Sequence, residues 1–165
     1  MAQKFSFDVV SDVDFQEVDN AINQAQKEIL QRYDLKDSKT TIELSKSDKT
    51  ILINSKDDYG IKSSVDILQS KFIKRQISLK VMKLNEIEAT GGGRVKQLIN
   101  LQSGISKENA KLVTKMIKEM KIKVNAQIMD EQVRVQGAKK DELQEVMSML
   151  KAADLDFPVQ FTNYK

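Results

Sequence analysis

The sequence predicts an α+β protein made of two tandem ferredoxin-like units. Each is β-α-β-β-α-β, with a four-stranded antiparallel sheet and two helices on one face. Two observations predict it. Apolar residues alternate with period two in short runs and recur with helical spacing in longer ones, in the same order in both halves of the chain. A constant offset of 82 residues also lays Ile51 on Val133, Ile53 on Val135, Ile61 on Leu143 and Leu68 on Leu150, so apolar positions coincide through two strands and a helix.

The first element is a strand, because Phe5, Phe7 and Val9 alternate in KFSFDVV. Asp12 or Asp14 then caps a helix whose apolar side reads Phe15, Val18, Ile22, Ala25, Ile29 and Tyr33. Thr41–Ser45 and Thr50–Ser55 are strands joined by the polar turn KSDK. Asp57 and Asp58 open a second helix that buries Ile61, Val65, Leu68 and Phe72, and Leu79, Val81 and Leu84 alternate as a further strand. In the second half RVKQLINL is strand-like, and Ser106 caps a helix with Val113, Met116, Ile117 and Met120 inward. Val124–Met129 and Gln132–Gly137 flank a tight turn, a helix buries Leu143, Val146, Met147 and Leu150, and VQFTNY ends the chain as a strand.

Composition narrows the chemistry. The 165 residues include 40% hydrophobic and 31% charged residues, a folded rather than a disordered profile. There is no Cys and no His, so thiolate nucleophiles, zinc–sulfur sites and the commonest general base are all absent. Asp57–Asp58 reads as a helix start rather than a metal pair. No enzyme activity and no cofactor are expected. The apolar runs are too short for a membrane span and the N-terminus lacks a signal-peptide pattern, so the expected compartment is the cytoplasm, without a membrane partner.

The net charge of +3 is uneven. Residues 1–90 carry 14 basic and 15 acidic side chains, whereas residues 91–165 carry 13 and 9. Within KFIKRQISLKVMK the basic Lys71, Lys74, Arg75, Lys80 and Lys83 occur without an acidic residue, and Lys107, Lys111 and Lys115 recur every fourth position with Lys118 close to the same face. Such clusters fit an anionic partner as well as a solvated helix face. The GGG of ATGGGRV precedes a strand rather than a helix and lacks a following GK[ST], so it reads as a connector, with Arg94 as a minor phosphate contact. Arg134 alternates with Val133 and Val135, which points it to the sheet face without helices. Open sheets of this architecture stack RNA bases on aromatics, and Phe7 and Tyr164 are the stacking candidates, although the third strands carry no aromatic. Core packing is the competing reading for the phenylalanines.

SFDVVSDVD, DILQSKFIKR, ATGGGRV, QVRVQGAKKDELQ and QFTNYK together resemble the YajQ family of small bacterial nucleotide-binding proteins, over essentially the whole chain. The resemblance implies two ferredoxin-like domains with exchanged N-terminal strands. Residues 11–101 would form the first, completed by strand 94–101, and residues 102–165 with strand 1–10 the second, with a hinge near 89–93. It further implies nucleotides or RNA as ligands and, for some members, cyclic di-GMP together with a transcription regulator as protein partner. The expected function is a non-enzymatic nucleotide and RNA binder, with a cyclic-dinucleotide-responsive adaptor as the alternative. Lys71, Lys74, Arg75, Lys80, Arg94 and Arg134 are the expected phosphate contacts. Exposed sheet edges make a homo-oligomer an expectation as well.

Overall fold

A computed structural model describes residues 5–165. The chain divides into two compact units. One is Val13–Gln102, and the other joins the chain up to Asp12 with Ser103–Lys165.

The unit Val13–Gln102 begins with α1 (Phe15–Gln31), whose free amides at Gln16 and Glu17 are accepted by the Asp14 carboxylate. Val18, Ala21, Ile22, Ala25 and Ile29 form its buried stripe. The helix stops before Tyr33, which the spacing had placed on that stripe; the ring is 88% exposed, with Lys36 Nζ 5.2 Å above it. β2 (Thr41–Ser45) and β3 (Thr50–Ser55) form a hairpin, and α2 (Asp58–Lys74) follows from an Asp57 cap. A Cβ on Gly60, in the first turn of α2, would lie 2.0 Å from Ser55 Oγ. That hydroxyl is held 2.9 Å from Thr40 Oγ1, which is in turn 2.5 Å from Ser38 Oγ, and all three residues are buried. Gly60→Ala is therefore expected to cost about 1–3 kcal/mol, read as a lower urea midpoint at unchanged slope.

The strand expected over Leu79–Leu84 starts later. Leu79–Val81 is a single 3₁₀ turn capped by Ser78, and β4 runs Met82–Gly91. It pairs with β5 (Arg94–Leu101) from Met82↔Leu101 to Gly91↔Arg94. The glycines expected near 89–93 as a hinge instead close this hairpin within one sheet. Gly91, Gly92 and Gly93 have φ of 91°, 61° and 78°, the left-handed conformations that a tight hairpin turn demands and glycine adopts without strain. The sheet order is β2-β3-β5-β4. Its helix-facing residues, Ile51, Ile53 and Ile99, are fully buried in one core with Ile61, Leu68 and Phe72 of α2.

The other unit contains β1 (Phe5–Val10), α3 (Lys107–Glu119), β6 (Val124–Met129), β7 (Gln132–Gly137), α4 (Lys140–Ala152) and β8 (Gln160–Thr162). Its order is β6-β7-β1-β8, all antiparallel. The exchange implied by the resemblance is present. β1 lies between β7 and β8, while β5 takes the corresponding inner position beside β3 and β4 in the unit Val13–Gln102. Phe7, Val9, Val133 and Val135 point to the helices and pack in one core with Val113, Ile117, Leu143, Val146, Leu150 and Phe157. The alternate residues of the same strands therefore lie on the helix-free face.

Candidate functional site

The basic run near the end of α2 is largely spoken for by α1. Lys71 Nζ lies 2.9 Å from Glu28 Oε1, with only 12% of the lysine side chain exposed, and Arg75 Nη1 lies 3.0 Å from Glu17 Oε2. Two cross-helix ion pairs thus neutralise charges that looked available in sequence. Lys74 lines a hollow of about 430 Å³ with Glu17, Gln24, Arg75 and Gln76, and Arg75 Nε is buried without a hydrogen-bond partner. Lys80 is exposed in the 3₁₀ turn.

Arg94 is engaged internally as well. Its Nε donates to Asn54 Oδ1 at 2.8 Å, Nη1 to the Ser38 carbonyl at 3.2 Å and Nη2 to the Lys39 carbonyl at 2.7 Å. The guanidinium fork ties the segment entering β2 to β3, a geometry lysine cannot reproduce. Arg94→Lys is expected to lower stability by about 1–2 kcal/mol in urea unfolding.

Phe7, expected as a stacking platform, is fully buried, and its ring meets Phe161 edge-on at 5.5 Å. It faces the helices, so the core-packing reading holds and no ligand reaches it. Tyr164 is 42% exposed.

Arg134 lies on the helix-free face as its alternation predicted. It pairs with Asp8, directly opposite on β1, with Nε 2.9 Å from Oδ1 and Nη2 3.4 Å from Oδ2. The Asp8 side chain is 1% exposed and that of Arg134 35%. Asp8 Oδ2 also accepts from Asn163 Nδ2 at 2.8 Å and Gln132 Nε2 at 3.5 Å. The bond from Arg134 holds the Asp8 carboxyl below its usual range against the opposing effect of burial, and Asn163 adds to the lowering. Asn163 reaches Asp8 because the chain bulges there. Asp8 is opposite Thr162, yet Ser6 exchanges backbone hydrogen bonds with Lys165, one residue out of step, and Asn163 takes a φ of 52°.

Across the strands this face presents Gln127, Arg134, Asp8 and Thr162 in one row and Asn125, Gln136 and Ser6 in the next. Asn125, Gln127 and Thr162 are exposed. The surface is rich in amides, with one cation fixed at its centre. The matching place in the other sheet is apolar, since Leu52 lies opposite Leu98. These leucines floor a depression of about 590 Å³ rimmed by Asn85, Glu86, Glu88, Lys96 and Asn100. Among the described residues no cluster of three or more His, Cys, Asp or Glu is placed to hold a metal ion, and no helix is long and apolar enough to cross a membrane.

The model of a family described as "Nucleotide-binding protein YajQ-like" matches residues 5–165. The chain belongs to the YajQ-like family. Relatives named "Nucleotide-binding protein" include one from Chloroherpeton thalassium, 51% identical, and one from Alkaliphilus oremlandii, 53% identical, each over the whole of both chains. Another, from Citrifermentans bemidjiense, is 53% identical over 97% of this chain and 98% of its own.

In this YajQ-like chain the site residues that sequence reasoning missed are Asp8, Gln132 and Asn163. Asp8 sits at an alternate position of SFDVV, flanked by Phe7 and Val9, so its inward-facing neighbours already marked it as a helix-free-face residue. Its partner lies 126 residues away, a pairing that no local pattern encodes.

Proposed function

We propose that this protein binds nucleotides without converting them, that its ligand is single-stranded RNA, and that the bases lie on the helix-free face around Arg134. The observation that carries the reading is the Arg134 guanidinium, fixed by the buried Asp8 in the middle of an amide-lined sheet face. Arg, Asn and Gln side chains offer the donor and acceptor pairs that base edges require, and a guanidinium plane also stacks on a base. Fixing the guanidinium beforehand lowers the ordering cost of binding. Tyr164 supplies an exposed ring for stacking and Lys165, opposite Ser6, a charge for phosphate. The relatives' printed name supports the ligand class. The absence of His and Cys from the sequence supports binding over catalysis. Lys71, Arg75 and Arg94 are each engaged within the unit Val13–Gln102, which leaves Lys74 as a separate phosphate contact on that unit.

The test is fluorescence anisotropy of labelled single-stranded RNA, with mononucleotides and cyclic di-GMP as competitors, against the wild type and Arg134→Ala. Saturable RNA binding that weakens at least tenfold in the variant is expected. Equal affinity in both proteins removes the Arg134 face from the reading. Binding of cyclic di-GMP in preference to RNA replaces the reading with a dinucleotide-responsive adaptor.

A further inference from the structure

A second charged surface lies on α3, whose buried residues Ala110, Val113 and Ile117 face the core of this unit. On its outer side Lys107, Lys111, Lys115 and Lys118 are all exposed. At about 100° per residue they share an arc of about 80°, and the i, i+4 steps space them about 6 Å apart along the axis. Among the described residues none of the four is joined to a carboxylate. The contrast with α2 is direct, since Lys71 and Arg75 there are each met by a glutamate of α1. From residue 107 to 123 the sequence carries six lysines and two glutamates.

The arrangement costs the helix stability. Like charges at i, i+4 repel, and Lys107 is the first helical residue, where the helix dipole disfavours a cation. Lys118, in the last turn, is favourably placed, so the penalty falls on the N-terminal part of the stripe. We infer that the α3 lysine stripe is a docking surface for the phosphate backbone of a single-stranded nucleic acid, read without regard to sequence. This deepens the RNA-binding reading by giving the backbone a surface of its own, separate from the Arg134 face.

The chemistry favours a nucleic-acid backbone over the other polyanions. A membrane-surface helix buries its apolar face among the headgroups, but the apolar face of α3 is already used in the core. An acidic protein interface rests on aromatic or apolar anchors. The only large exposed apolar residue of α3, Leu112, lies outside the lysine arc, about 60° beyond Lys115.

The experiment replaces all four lysines by Gln in the full chain. As a control of equal charge, Lys27, Lys46, Lys56 and Lys62, exposed on the other unit, are replaced together by Gln. Anisotropy of labelled oligo-A RNA is followed across salt concentrations for both variants and the wild type. The α3 variant is expected to bind at least tenfold more weakly at low salt and to lose about 0.7 of log–log salt slope per lysine, with a melting temperature equal to or above that of the wild type. The control is expected to keep the wild-type slope. Mononucleotide affinity, measured in parallel, is expected to be unchanged by the α3 changes. Its absence from the wild type would overturn the Arg134 site while leaving the stripe standing. Equal RNA affinity and slope in the α3 variant and the wild type overturn the stripe. Wild-type binding to anionic vesicles but not to RNA also overturns it.

Discussion

Phe7→Ala is expected to destabilise the protein by about 3–5 kcal/mol, the largest single effect foreseen for any residue first considered as a ligand contact. Phe7 is fully buried on an inner strand, between Val133 and Val135 of β7 and the strand that carries Phe161. Truncation leaves a cavity and removes the edge-on contact with Phe161, worth about 0.5–1.5 kcal/mol beyond the area lost. Urea unfolding reads the loss directly. RNA binding by the fraction still folded is expected to match the wild type. A stable Phe7→Ala protein with impaired binding would instead return Phe7 to the ligand surface.

Asp8→Ala is expected to cost about 2–3 kcal/mol, less than the loss of one partner from a fully buried pair, because Arg134 keeps about a third of its side chain in water. The change leaves Arg134 and the Asn163 amide without their common acceptor and frees the guanidinium to wander, so RNA affinity is expected to fall along with stability. The same pair makes stability depend on pH. The native carboxyl titrates below its ordinary value of 3.8, so in acid the unfolded chain takes up the proton first. The stabilisation is therefore complete above the ordinary carboxylate range, and it disappears as pH falls through the lowered native value. Asp8→Asn is expected to flatten this part of the pH–stability curve. An acid limb of unchanged steepness would show that other carboxylates set it.

The periodic elements were legible because burial writes itself into spacing. Ile51, Ile53, Val133 and Val135 alternate in the sequence and are all fully buried. Arg134 was assigned to the correct face by the same argument. Tyr33 misled because it continues the helical period past the point where α1 ends at Gln31. The glycines misled because a tight turn and a loose connector call for the same residue. Lys71 and Arg75 looked free because their partners, Glu28 and Glu17, are on another helix, at separations of 43 and 58 residues. Phe7 and Tyr164, grouped in sequence as stacking rings, separate in the structure into a core residue and a surface one. The strand exchange, too, had no local signature and followed from family resemblance alone.

That exchange fixes an order of assembly. β1 is the first described strand of the chain, yet both its neighbours, β7 and β8, lie in the last third. On a ribosome, where the N-terminus emerges first, Val13–Gln102 has every strand of its sheet once β5 is made. β1, by contrast, must wait, with Phe7, Val9 and its ladder edges unpaired, until β7, about 120 residues further along the chain, has been synthesised. β1 thus finds its place long after it is made, and during that interval it is the segment most exposed to wrong partners, including the same strand of another nascent chain.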